Sequence, residues 1–264
     1  MLRDITLGQY YQTDSVIHRL DPRVKLTATL VFIVSLFLAD NVWGYVIAGV
    51  FLACIIRLSH VPFKYMVKGM KAILFLLIFT VVFNLFLTPG RPLITIWKLS
   101  ITVEGVAIAV KMAIRLSFLI IGSSVMTLTT TPNNLTDGME DLLRPLKRLH
   151  VPVHEISMMM SIALRFIPIL LEETDKIMKA QIARGADFES GSLINKAKSM
   201  VPLLVPLFIS AFRRANDLAM AMEARCYRGG EGRTKMKPLI YQRRDRLAYG
   251  VLAAYLACII LERV

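Results

Sequence analysis

Little in this chain favours a soluble or a secreted fold. Charged residues make up 19% of its 264 positions, where an ordinary soluble domain carries about a quarter. It has three cysteines, Cys54, Cys226 and Cys258. None forms a C-x-x-C pair and two lie in apolar runs, which argues against a disulfide framework or a cysteine metal cage. Acidic residues are scarce as well, 19 against 32 Lys and Arg, for a net charge of +13. Apolar residues are abundant, 55% of the chain with a mean hydropathy of +0.56, and this excludes disorder and collagen. A basic balance alone would admit a nucleic-acid binder. Combined with this hydropathy, it reads as the positive-inside signature of a polytopic membrane protein. The first 25 residues are polar, with His18, Arg19, Asp21, Arg23 and Lys25, so no cleavable signal peptide is expected.

Uncharged runs at 26–39, 41–56, 72–90, 116–136 and 247–261 predict five spanning helices. A span takes about 20 helical residues, so the shorter runs rely on flanking Lys and Arg to snorkel. Asp40-Asn41 joins the first two by a tight turn. Basic residues cluster before the first run (Arg3, Arg19, Arg23, Lys25) and after the second (Arg57, Lys64, Lys68, Lys71). The third-to-fourth loop has only Arg91 and Lys98. The N-terminus is therefore expected on the cytoplasmic side. Asp21-Pro22-Arg23 is a helix start, with Asp as N-cap and Pro at the first helical position.

Residues 131–246 hold 19 Lys and Arg and 13 Asp and Glu, more than half of the basic residues. The segment reads as helical: a short helix over 135–147, then long ones over 153–186 and 192–227. A turn at 187–191 separates the long helices, and Gly229-Gly230-Glu231-Gly232 is a stop. Pro168, Pro202 and Pro206 are expected to kink them. Each long helix begins apolar, at 156–171 and 200–212, and ends amphipathic. The apolar parts are shorter than a span, which places them at the membrane–cytoplasm boundary, with a two-span hairpin as the alternative. The expected class is all-α: a four-span domain over 1–130, a coupling-helix domain over 131–245 and a last span over 246–264.

The two long helices end alike, in Ala183-Arg184-Gly185 and Ala224-Arg225-Cys226. Either Arg alone could simply oppose a helix dipole. Small residues on both sides of it also let another surface reach the guanidinium fork, which favours protein docking. Counted back from each Arg, Glu172-Glu173 matches Arg213-Arg214, an arrangement that would pair the helices by opposed charges. Nine of the 14 Met lie between Met139 and Met236, including Met158-Met159-Met160. Most suit a helix core, and a surface that repacks against several partners is the functional reading. Lys111 and Arg115 are either intramembrane cations or interfacial caps. His150-Val-Pro-Val-His154-Glu155 has Pro152 between its histidines and lacks H-E-x-x-H, so a loop and helix start is expected instead of a metal site. Glu172-Glu173-Thr174-Asp175 lacks spaced carboxylates for Mg²⁺. Gly229–Thr234 lacks the P-loop spacing, so the chain is not expected to hydrolyse nucleotide.

Three stretches carry a family resemblance: Ser15-Val-Ile-His-Arg-Leu-Asp-Pro-Arg-Val-Lys25, Ala163-Leu-Arg-Phe-Ile-Pro168 with Ala180-Gln-Ile-Ala-Arg-Gly185, and Met222-Glu-Ala-Arg-Cys-Tyr-Arg-Gly229. With the hydropathy layout they cover nearly the whole chain. It resembles the transmembrane (T) component of energy-coupling factor transporters, vitamin and transition-metal importers related to ABC transporters. The resemblance implies a non-catalytic subunit in a prokaryotic cell membrane. It implies two cytoplasmic ATPase partners, which bind the ATP, and one or more small membrane subunits that capture substrate. No cofactor or metal is implied for the chain itself. Arg184 and Arg225, with Ala183, Gly185, Ala224 and Cys226, would dock the ATPases. The family's second Ala-Arg-Gly is Ala224-Arg225-Cys226 here, which puts a positive φ at Cys226 in question. A membrane enzyme would need clustered carboxylates or histidines facing a cleft, and a stand-alone secondary transporter would need inverted repeats and paired intramembrane charges. Neither pattern is found in the sequence.

Overall fold

The computed structural model describes residues 10–39, 41–96, 99–186, 188, 193–230, 232 and 235–263. Arg3, Asp40, Lys98, Glu231, Thr234 and most of the 187–191 turn lie outside the described residues, as do the side chains of Lys68 and Lys71. The element order is α1 (Pro22–Leu38), α2 (Val42–Ser59), α3 (Phe63–Leu87), β1 (Pro92–Ile96), β2 (Leu99–Thr102), α4 (Val103–Thr129), α5 (Pro132–Leu143), a 3₁₀ turn (Arg144–Leu149), α6 (Val153–Ala183), α7 (Leu193–Ala224) and α8 (Arg243–Arg263).

Among the described residues the elements are helical apart from one antiparallel hairpin, β1–β2, paired from Pro92 opposite Thr102 to Ile96 opposite Leu99. The hydropathy pattern gave no sign of it. Two helices begin well before their apolar runs, α3 at Phe63 and α4 at Val103. Lys64, Lys68 and Lys71 in the first, and Glu104, Lys111 and Arg115 in the second, interrupt the apolar pattern without breaking the helix, because these residues are good helix formers. The Thr102 hydroxyl accepts from the Gly105 N–H (3.0 Å) and fixes where α4 starts. By length and composition α2, α4 and α6 are each able to cross a bilayer.

Contacts divide the chain into two compact units. Gly8–Leu142 with Leu239–Val264 forms one and Leu143–Pro238 the other. Helix α5 goes with the apolar helices because it lies directly on the first turn of α1. A Cβ at Gly138 would stand 3.1 Å from that of Pro22.

In the larger unit the core is drawn from α1, α2, α3, α4 and α8: Phe32 and Leu36, Ala48 and Leu52, Met66, Ile121 and Val125, Tyr255 and Ile259. Inside it the Ser35 and Tyr255 hydroxyls bond each other at 2.6 Å, so neither is left unsatisfied. Large apolar side chains also cover the outside. Phe75 is 81% exposed and Trp43 71%, a pattern that water would penalise and lipid would not.

The start of α1 is a buried polar cluster. The Asp21 carboxylate caps the helix by accepting from the Arg23 N–H (2.9 Å) and pairs with the Arg23 guanidinium at 2.7 Å. Burial pushes the Asp21 carboxyl up, but the Arg23 side chain and N–H more than offset this and hold it below its ordinary value. Lys25 Nζ, also buried, donates to the carbonyls of Thr129 (2.8 Å) and His18 (3.1 Å). The Tyr11 N–H donates to Leu128 O at 2.9 Å. Two carbonyls that α4 leaves free at its C-terminus are thus satisfied from the N-terminal segment and α1. Arg115, midway along α4, stands at the other end of α1. It donates to the Tyr45 hydroxyl (3.1 Å) and to Ala39 O (3.4 Å), and lies over the Phe37 and Tyr45 rings. Arg115 thus caps the C-terminus of α1, the blander of its two expected roles.

Candidate functional site: the paired arginine-ended helices

Helices α6 and α7 dominate the second unit. They run antiparallel, because residues early in α6 face residues late in α7. Ile162, Phe166 and Leu170 line one side of a shared apolar groove of about 240 Å³, and Ala211, Ala215, Leu218, Ala219 and Met222 line the other. The alanines let the helices approach along this stretch, while Ile162, Phe166 and Leu170 follow one another at the four-residue spacing of one helix face.

A proline sets a second contact farther along. Pro206 has no N–H, so the carbonyl of Pro202, four residues earlier, has no partner in its own helix. Gln181 of α6 fills that gap, its Nε2 donating to Pro202 O at 3.2 Å. Between these two contacts lies the ion pair. Arg214 reaches Glu173 at 3.1 Å, and the Ser210 hydroxyl donates to the same carboxylate. Of the expected pairing of Glu172-Glu173 with Arg213-Arg214, the pair seen among the described residues is Glu173 with Arg214. Glu172 and Arg213 are exposed, and neither meets the opposite helix among the described residues. One residue is 100° of helical rotation, so adjacent charges cannot both face the partner helix. Ser210 and Gln181 escaped the sequence reading because small or neutral polar residues on an amphipathic helix carry no charge pattern.

The ends of α6 and α7 match bond for bond. At the first, the Gly185 N–H donates to Ile182 O (2.9 Å) and the Ala186 N–H to Gln181 O (3.0 Å). At the second, the Cys226 N–H donates to Glu223 O (2.8 Å) and the Tyr227 N–H to Met222 O (3.0 Å). Both are Schellman caps, with one residue in the left-handed region. That residue is Gly185 at φ +88 and Cys226 at φ +55, so the positive φ survives at Cys226. Arg184 and Arg225 occupy the position just before it in each cap. Ala183, Arg184, Gly185, Ala224, Arg225 and Cys226 are all exposed.

The antiparallel register puts the two caps at opposite ends of the pair. Gln181 lies level with Pro202 and Glu173 with Ser210, so Arg225 falls level with about residue 158 of α6. Arg184 is then roughly 40 Å away along the axis, at 1.5 Å rise per residue. The geometry offers two equivalent exposed guanidinium forks, each on a rigid helix end and set well apart.

Among the described residues no group of three or more His, Cys, Asp or Glu is arranged to hold a metal ion. His150 closes the 3₁₀ turn at φ +60, and Pro152 immediately precedes α6, the loop and helix start expected there.

Residues 13–236 match the family model for CbiQ, cobalt transport protein. Full-length relatives share about half of their residues with this chain, and each is called energy-coupling factor transporter transmembrane protein EcfT. The protein of Clostridium kluyveri is 57% identical over 267 residues, covering 100% of this chain and 98% of that one. That of Ruminiclostridium cellulolyticum is 54% identical over 261 residues, covering 99% and 98%. That of Bacillus subtilis is 48% identical over 246 residues, covering 93% of each.

Proposed function

The chain belongs to the CbiQ family, the transmembrane components of energy-coupling factor transporters, and on that premise we propose that it couples two cytoplasmic ABC-type ATPases to a small substrate-binding membrane subunit. It is a membrane protein and a transporter subunit. In this reading it spans the membrane several times with the N-terminus in the cytoplasm, and it neither binds ATP nor needs a cofactor of its own. The cargo is a vitamin or another micronutrient, and one or more substrate subunits use the same coupling protein.

One observation carries the reading: α6 and α7 end in the same Schellman cap with the same exposed arginine, at opposite ends of one helix pair. Two equivalent sites suit two similar partners standing side by side. Arg is suited to each because its planar fork holds carboxylates or free carbonyls bidentately. ATP-driven closure would load both ends at once, and the groove, Glu173–Arg214 and Gln181–Pro202 contacts would make α6 and α7 respond as one body. The test is co-purification. Replacing Arg184 and Arg225 together by Glu should abolish recovery of the ATPases with the tagged chain and leave membrane insertion intact. Retained association would refute the docking role.

A further inference from the structure

The chain leaves the larger unit after Leu142 and re-enters it at Leu239. These two crossings join α6 and α7 covalently to the helices of the larger unit. One side chain holds both. Arg23, in the first turn of α1, pairs with Asp141, one residue before the outgoing crossing, at 3.5 Å. Its Nη2 also donates to the carbonyl of Leu239, the first residue after the return, at 3.1 Å. Its guanidinium lies 3.8 Å from the ring centre of Tyr241, two residues farther on. Asp21 fixes the fork from below by a two-point contact, Nε and Nη2 each reaching one carboxylate oxygen.

The returning strand has a second anchor. The Asp245 carboxylate, 1% exposed, accepts from the Asp21 N–H (2.9 Å) and from the Gln242 N–H (2.7 Å). The α1 start, the end of α5 and the start of α8 are thereby tied into one polar knot, although they lie up to 224 residues apart in sequence. An ordinary helix start needs only the Asp21 cap. Arg23 spends its donors and its ring contact on the two segments where the chain changes units.

We infer that Arg23 is a positioning residue for energy coupling, the clasp through which displacement of α6 and α7 reaches α1 and the membrane helices. The inference rests on the coupling function proposed above. Its test needs no knowledge of the cargo. The chain is purified with its ATPases, and hydrogen exchange is compared between the nucleotide-free complex and the complex trapped with ATP and vanadate. In the wild type, nucleotide should change exchange both in α6–α7 and in residues 22–28 and 239–246. Arg23→Ala should keep the α6–α7 response and shrink the second by about fivefold or more, the lower end of ordinary coupling strengths. Asp141→Asn and Tyr241→Leu each remove one crossing's contact while leaving Asp21–Arg23, and each should give part of the loss. Arg23→Lys, which keeps the charge without the fork, should restore only part of the response.

An unchanged nucleotide response at 22–28 and 239–246 in Arg23→Ala overturns the clasp. So does a wild-type response confined to α6–α7. If Arg23→Ala does not fold, the Asp141→Asn and Tyr241→Leu complexes decide the matter, and two undiminished responses overturn it. Failure of the ATPases to co-purify, or of α6–α7 to respond in the wild type, overturns the coupling function itself.

Discussion

Gly185 and Cys226 stand at equivalent positions in equivalent caps, yet exchanging their residue types should not have equivalent effects. At Gly185 no atom of the described residues beyond its chain neighbours lies within 4 Å of where a Cβ would sit, so what opposes a side chain there is the backbone. Its φ of +88 lies about 30° beyond the centre of the left-handed region. The region costs an L-residue roughly 1–2 kcal/mol, and Gly185→Ala recovers only about 0.4–1 kcal/mol by narrowing the unfolded ensemble. The net penalty is about 1 kcal/mol, close to fivefold in the opening equilibrium of the cap. Cys226 already adopts φ +55, near the centre of the region. For Cys226→Gly the strain relieved and the backbone entropy added are similar in size, so the change should be almost neutral. Hydrogen exchange of the capping amides measures both. Gly185 and Ala186 should exchange about fivefold faster in Gly185→Ala, and Cys226 and Tyr227 should hardly move in Cys226→Gly. ATPase binding should weaken by a similar factor only in the first variant. Unaltered exchange at Gly185 and Ala186, or an equal acceleration in Cys226→Gly, would refute the reasoning.

Other consequences can be checked directly. Reversing Glu173 or Arg214 alone should loosen the α6–α7 pair by about 0.5–1 kcal/mol, and the double reversal should recover part of that in a double-mutant cycle. Reversing Glu172 or Arg213 should leave the pairing of the two helices unchanged. Gly122→Ala would place a methyl 2.6 Å from the Phe32 ring, which is held in the core beside Phe51 and Tyr255, and should cost about 1–3 kcal/mol in thermal or denaturant unfolding. The Asp21 carboxyl is held below its ordinary value, so its contribution is present above about pH 3.9 and lost as pH falls through the lower folded value. Melting temperature should drop on acidification through that window, and Asp21→Asn should flatten the drop.

The sequence by itself determined where most helices lie, that they belong in a membrane, and that two of them finish on the same Ala-Arg-small triplet. Those features are local: a helix follows from apolar spacing and good helix formers, and a cap from the few residues around it. The boundaries that shifted, at Phe63 and Val103, shifted because charge interrupts hydropathy without interrupting a helix. The hairpin at 92–102 depends on cross-strand pairing, which hydropathy does not encode. Tertiary structure alone decided the rest. It selected Glu173–Arg214 from the possible charge pairs, since only one residue of each doublet faces the other helix. It placed Gln181 on the carbonyl that Pro206 frees, and so set Arg184 and Arg225 at opposite ends of their pair. It also brought Asp141, Leu239 and Tyr241 onto Arg23. Contacts between residues more than a hundred positions apart leave no period in the sequence; they exist only once the helices have packed.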